Sequence, residues 1–390
     1  MPEARPGSPS ALRNRNRDLV TEALRRHGRL TQAELARETG LAAATVSNIV
    51  RALVDIGRLE VDDGPGRRRI VRLAEDAGYV VGVDYGFRHI NVGVSAQNRD
   101  LLCELRAPVD PRISAPGGLA VVRRLVRDAL DRAGVRRDEI VGAGLGLPVP
   151  VERATSRVGL HGILPPWIGV DAAALATDVL DLPVEVAVDN DANLGALAER
   201  RWGAGIGAQS LVYLKMSEGV GAGLILDGRP FAGTSGTAGE IGHVAADEAG
   251  EACRCGKRGC LETVASARAV TTALRPLLGA SPTVAKAVDL ARLGDRDCQD
   301  ALERVGHYAG FALADLCNVL NPELIVIGGE LAQAARIILP AMRQAIDRRA
   351  VPTAAQAVRI RASKLGPRAH LLGAIALAIG GSGAAPVFTS

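Results

Sequence analysis

Four side chains of metal-binding type stand close together in the sequence: His243, Cys253, Cys255 and Cys260. One imidazole and three thiolates complete a tetrahedral zinc shell and leave no open position for a catalytic water, so the metal is expected to be structural. Gly256 and Gly259 lie inside the cysteine run, where tight turns are needed to bring the thiolates together. Six cysteines in 390 residues are too few for a disulfide scaffold. The first twenty residues show no export signal, and in such a chain the cluster reads as metal ligands before disulfides. Free thiols on a mobile loop are the plainer alternative. Cys103, Cys298 and Cys317 read as ordinary buried residues.

A second constellation is Asp189-Asn190-Asp191-Ala192-Asn193, which follows the strand-like Val184 to Val188. An Asn-Asp pair at a strand end can exchange hydrogen bonds with a polyol, and its carboxylate can take the proton of an attacking hydroxyl. The same residues also make an ordinary turn. Glycine-rich turns form a third group, at Asp84-Tyr85-Gly86-Phe87-Arg88, Ser217-Glu218-Gly219-Val220-Gly221 and Gly328-Gly329. Backbone N–H groups in such turns can cradle phosphate, although each signal is weak alone.

The elements that must position these groups fall into two textures. Residues 1–15 are expected to be a mobile tail. Over 16–76 the pattern is helix, helix, helix and basic hairpin. Leu19, Val20, Ala23 and Leu24 form one apolar face, Thr31 and Glu34 a capping box, and Gly40 a stop. A third helix, from about Ala42 to Ile56, carries Val46, Ile49, Val50, Leu53 and Val54 as its apolar stripe. Its other face offers Thr45, Ser47, Asn48 and Arg51, short polar groups suited to base edges or phosphates in a major groove. Arg67, Arg68 and Arg69 follow a wing turn and can enter the minor groove or neutralise phosphate. This is a winged helix-turn-helix pattern expected to bind double-stranded DNA; a solvated helical hairpin that binds protein is the alternative. From Tyr79 onward strands and helices alternate, and strand hairpins recur once per half, as in a two-lobed α/β protein over 77–390.

Composition bounds the rest. With 47% hydrophobic and 23% charged residues the chain can bury large cores and is not disordered. No apolar run reaches the roughly 18–20 residues of a membrane span, so a cytoplasmic protein without a membrane partner is expected. Aromatics are 3%, which argues against base-stacking RNA platforms. The net charge of +4 is unremarkable for the length, but residues 1–54 hold nine Arg against five acidic residues. The attraction for DNA is therefore concentrated at one end.

Taken together, Gly239-Glu240-Ile241-Gly242-His243, the Cys253-x-Cys255-Gly-x-x-Gly-Cys260-Leu-Glu262 signature, Asn190-Asp191-Ala192-Asn193 and Asn321-Pro322-Glu323 with Gly328-Gly329 resemble the ROK family of repressors and sugar kinases. With the N-terminal winged helix, the chain resembles the transcriptional-repressor branch. The resemblance implies an actin/hexokinase-like, ribonuclease H-like fold with a sugar in the cleft. It implies sugar contacts from Asn190, Asp191, Glu240, His243 and Glu262, with Asp191 as the base in kinase members. It also implies zinc on His243, Cys253, Cys255 and Cys260, and a homodimer or dimer of dimers. His243 would then serve metal and sugar, one ring nitrogen each.

Departures bear on catalysis. Where kinases of the family carry Asp-x-Gly-Gly-Thr, this chain has Phe87 and Arg88 in place of Gly and Thr, and Glu218 stands in the second phosphate loop. A carboxylate about 4 Å from a phosphate charge costs about 4 kcal/mol near a protein surface. Arg88 can offset part of this by pairing with phosphate or with Glu218. ATP and magnesium are not expected cofactors. The reading is a sugar-responsive DNA-binding regulator, a repressor; the alternative is a sugar kinase with an appended DNA-binding domain. Val149 replaces a family Gly and is expected to add bulk beside the sugar.

Overall fold

The computed structural model describes residues 9–55, 59–64, 68–74, 78–97, 100–159, 162–279 and 282–381. The N-terminal unit runs α1 (Pro9–His27), β1 (Arg29–Thr31), α2 (Gln32–Thr39), α3 (Ala43–Asp55), β2 (Leu59–Gly64) and β3 (Arg68–Leu73). Thr31 caps α2 through the expected capping box: its hydroxyl accepts from Glu34 N at 3.3 Å, and its own N–H donates to Glu34 Oε2 at 2.8 Å. Gly40 ends the helix at φ 68°, a left-handed cap. The three strands pair antiparallel in the order β1-β3-β2. Val20, Leu24, Leu35, Val46, Val50, Leu53 and Val71 close a core of their own.

Two expectations need correction here. α1 starts at Pro9, not near Asn16, so helix covers residues assigned to a tail; the first eight lie outside the described residues. Leu19 and Val54, placed on apolar stripes, are 39% and 37% exposed. They sit at the edge of their faces, where helical period alone cannot tell rim from core.

The remainder forms two lobes. The first contains β4 (Tyr79–Tyr85), β5 (His89–Ala96), β6 (Leu101–Pro108), α4 (Ala115–Ala133), β7 (Ile140–Leu147), α5 (Ala172–Leu180) and β8 (Val186–Asn190). α6 (Asp191–Trp202) then leads to the second, with β9 (Leu211–Met216), β10 (Val220–Leu226), β11 (Arg229–Phe231) and the helices α7 (Leu261–Ala265), α8 (Ala267–Ala273), α9 (Arg275–Leu278), α10 (Val284–Arg292) and α11 (Arg296–Leu320). β12 (Leu324–Gly328), α12 (Ala335–Arg349), α13 (Pro352–Ala357) and β13 (Arg359–Ala362) complete it, and α14 (Ala369–Gly381) follows.

The sheets run β6-β5-β4-β7-β8 and β11-β10-β9-β12-β13. Each is an antiparallel three-strand meander extended by two parallel strands, so one topology occurs twice, as expected of an actin/hexokinase-like fold. α14 returns to the first lobe and packs on β4 and β7. Gly144 permits this: a Cβ there would stand 2.2 Å from Ala374 O. α6 and α14 share a buried cluster of Leu194, Leu197, Trp202, Leu371, Ile375 and Ile379. Among the described residues no helix is long and apolar enough to cross a membrane.

Candidate functional site

β8 ends and α6 begins at the Asn190–Asp191 step, which places both residues at the mouth of the cleft. Asn190 caps α6: its Oδ1 accepts from Ala192 N at 2.8 Å and its Nδ2 donates to Val149 O at 3.1 Å. Two of its polar valences are thus spent on the fold. Asp191 is 3% exposed, and its Oδ2 accepts from Lys215 Nζ at 2.5 Å. Lys215 was not anticipated from sequence. The available signal was a charge inside the buried strand Leu211 to Met216, where an unpaired ammonium would be costly.

The second lobe supplies the facing wall. Glu240 stands before a short turn, Ile241–His243, and its carboxyl is pushed up to about 7 by burial and then by the Glu262 and Asp191 charges. Glu262, 3% exposed at the start of α7, accepts from Val220 N at 3.1 Å and pairs with Arg254 Nε at 2.9 Å. Arg254 is a second residue that sequence reasoning missed. It lies between two ligand-type cysteines, and only the turn geometry aims it inward. Asn190, Asp191, Glu240, His243 and Glu262 all line one cavity together with Lys215 and Arg254.

Val149 does not join them. It is 1% exposed and packs in the first-lobe core, while Pro148 and Pro150 on either side line the cavity. The expected bulk beside a sugar is absent, because alternation along the segment turns Val149 the other way.

Next to this cavity, His243, Cys253, Cys255 and Cys260 converge, with their candidate ligand atoms within 4.8 Å of one another. Cys253 Sγ is 3.6 Å from His243 Nδ1, and Cys255 Sγ is 3.6 Å from Cys260 Sγ. A tetrahedron with metal–ligand bonds of about 2.0–2.3 Å has edges of roughly 3.3–3.8 Å, and these two separations fall in that range, so the four residues fit a metal ion. Gly256 and Gly259 take left-handed φ values of 89° and 65°, as the tight turns require. Burial pushes the Cys260 thiol up to about 12, and the neighbouring Cys255 and Cys253 add to the shift. His243 faces both ways: Nδ1 toward the thiols, and Nε2 3.7 Å from Glu240 Oε2.

The candidate phosphate turns are filled from within. Asp84, 1% exposed, accepts from His89 Nε2 and Asn91 Nδ2, each at 3.2 Å. Gly86 N donates to His89 O at 2.8 Å, and Ser217 N to Gly219 O at 2.9 Å. Val220 N is taken by Glu262, and Glu330 N by Ser217 Oγ at 3.0 Å. Burial raises the carboxyls of Glu218 and Glu330, with the Glu218 charge adding to the shift at Glu330. Arg88 is exposed and lies over the Phe87 ring at 5.2 Å.

At the DNA-type face, Asn48, Arg51 and Arg69 are exposed, and Thr45 and Ser47 half-buried, opposite the buried Val46, Ile49 and Val50. Arg68 lies on β3; Arg67 lies outside the described residues. Cys298 and Cys317 are buried and Cys103 is half-buried.

Comparison with known proteins matches residues 80–380 to the ROK family and residues 20–60 to a winged helix-turn-helix DNA-binding model. A xylose repressor of Caldicellulosiruptor bescii is 28% identical over 96% of this chain and 97% of its own length. A glucokinase of Halalkalibacterium halodurans is 32% identical over 76% of this chain and 93% of its own. The crystal structure of a ROK family transcriptional regulator, homologous to the Mlc protein of E. coli, superposes with a TM-score of 0.79 at 25% identity, covering 95% and 96% of the two chains. With the two-lobed duplicated sheets, the convergent histidine–cysteine cluster and the winged helix in place, the chain belongs to the ROK family, in the form that carries an N-terminal winged helix-turn-helix.

Proposed function

We propose that this chain is a sugar-responsive, DNA-binding transcriptional repressor acting in the cytoplasm, with a structural zinc beside its sugar site. The observation that carries the reading is the pairing of a winged helix with a cavity whose polar groups suit a polyol and whose phosphate turns are occupied by the chain's own atoms. Asp191 and Glu262 offer carboxylate oxygens, and Lys215 and Arg254 balance their charge. A polyhydroxylated neutral ligand satisfies such a wall through directed hydrogen bonds. Zinc would be held by His243 Nδ1, Cys253, Cys255 and Cys260, fixing the imidazole so that Nε2 and Glu240 face the ligand.

Thr45, Ser47, Asn48 and Arg51 would read the operator, and Arg67, Arg68 and Arg69 would hold phosphate. A dimer or dimer of dimers would set the half-site spacing. The kinase reading is supported by the glucokinase relative and by Asp191 at the base position. Lys215 counts against it, since its ammonium already occupies the carboxylate that must receive a proton, and Glu218 and Glu330 oppose a triphosphate.

The test is DNA release. Zinc-loaded protein bound to a labelled duplex selected from random sequence should dissociate on titration with xylose, glucose or N-acetylglucosamine. Binding that ignores every sugar in a broad panel would refute the reading.

A further inference from the structure

Helix α6 touches both functional ends of the molecule. Its first residue, Asp191, lines the cavity, and its last turn holds Arg200, Arg201 and Trp202. Arg201 is 8% exposed; its Nη2 donates to Glu22 Oε2 of α1 at 2.6 Å and its Nη1 to Ala376 O of α14 at 3.3 Å. The guanidinium also lies 4.9 Å from the Trp202 ring centroid. Eleven of the twelve residues of α6 are buried, so the helix is gripped along its length. Packing of that kind transmits displacement instead of absorbing it.

On the other side of the contact, α1 is welded to the DNA-reading helices. Val20, Ala23 and Leu24 share the core of α2 and α3, and Arg26 and His27 both reach Glu38 of α2, at 3.2 and 3.1 Å. Beyond Arg26, His27 and Gly28 the winged unit and the lobes are separated by an open cleft bordered by Trp202, Lys364 and Leu372. The Glu22–Arg201 pair therefore stands beside a gap across which the winged unit can tilt.

We infer that Arg201 is the positioning residue through which the sugar cavity sets the orientation of the winged helix: α6 is a rigid lever with Asp191 at one end and the Glu22 ion pair at the other. The inference rests on the sugar-responsive reading. Asp191 is already held by Lys215 of β9, so a ligand that draws the first lobe toward that pair displaces α6 against the first lobe and moves Glu22, and with it α1, α2 and α3 as one body. A pair that is 8% and 33% exposed is poorly screened, so it holds direction as well as distance.

The experiment uses the full-length, zinc-loaded chain with Glu22→Gln, which removes the charge at the half-exposed partner, and Glu22→Asp, which keeps it. Xylose, glucose and N-acetylglucosamine serve as probes, and two quantities are read separately: sugar affinity by calorimetry, and the ratio of DNA affinities without and with sugar. Glu22→Gln should bind sugar within about twofold of the parent while that ratio collapses from the typical 5–150-fold range to below about twofold. Glu22→Asp should recover most of it. A full ratio in Glu22→Gln overturns the inference.

If the parent protein binds no probe, the sugar reading has failed, and the lever is judged by hydrogen exchange alone. Glu22→Gln should then quicken exchange in residues 20–27 and in 191–197 together; a change confined to residues 20–27, or none in either segment, overturns it.

Discussion

The Lys215–Asp191 pair shows how a single side chain changes what a polar cavity can do. Both groups are at most 10% exposed, so each depends on the other to replace the hydration it lost on leaving water. Lys215→Met should strand Asp191 and destabilise the ROK part by about 3–5 kcal/mol, read as a lowered urea midpoint. Unchanged stability would mean that water reaches the carboxylate. Asp189, next to this pair, behaves differently. Burial pushes its carboxyl up to about 6, above an unfolded value near 3.9, although Asn190 N and Asn193 Nδ2 both donate to it. The folded state thus holds that proton more tightly. Its contribution to stability is complete below about pH 4 and is lost as pH rises through 6. Asp189→Asn, which keeps the acceptor oxygen, should melt higher than the parent at pH 8, with the gap closing by pH 5. A gap that is constant with pH would exclude ionisation as its cause. Asp189 was named from sequence only as part of the Asp189–Asn193 constellation, with no role of its own, and Lys215 was not named at all.

The histidine–cysteine loop is the element whose chemistry was clearest in the sequence. Ligand type and spacing specify a tetrahedral cluster without any knowledge of the fold, and the structure brings those four residues together. What spacing could not convey was the aim of Arg254 and the inward turn of Val149's flanking prolines, which depend on backbone direction. Cys255→Ser, or stripping the metal with a chelator, should lower the melting temperature and weaken sugar binding together, since the same loop carries His243 and leads into Glu262. Calorimetry on the metal-free protein checks this, and intact sugar affinity there would separate the two roles. The recognition helix was equally legible, because its buried and polar faces follow the 3.6-residue period. Its ends were less so: α1 extends back to Pro9, and the edge residues Leu19 and Val54 are exposed. Asn48→Ala should relax base preference in a selection assay, whereas Arg69→Ala should weaken all sequences alike and lower the salt slope of binding by about 1.

At the scale of the whole molecule, the duplicated sheets place one wall of the cavity on each lobe: Pro148, Pro150 and Asn190 on the first side, Glu240, His243 and Glu262 on the second, with Asp191 tied to Lys215 of the second sheet. A ligand that bonds to both walls is bound better by the closed arrangement than by the open one, and that difference is what shifts the population. Sugar at 100 times its dissociation constant should stabilise the protein by about 2.7 kcal/mol. It should also reduce the radius of gyration in solution scattering. Magnesium-ATP should do neither. Its phosphates would meet Glu218 and Glu330, while the backbone donors of Gly86, Ser217 and Val220 are already engaged by His89, Gly219 and Glu262. Phosphoryl transfer rests on positioning and charge neutralisation, and here Arg88, Arg254 and Arg268 already act on the Glu218 carboxylate. A coupled ADP-release assay over the sugars that compact the protein is the deciding measurement. Sugar-dependent compaction with no ADP is the expected result, and steady turnover would return the chain to the kinases of its family.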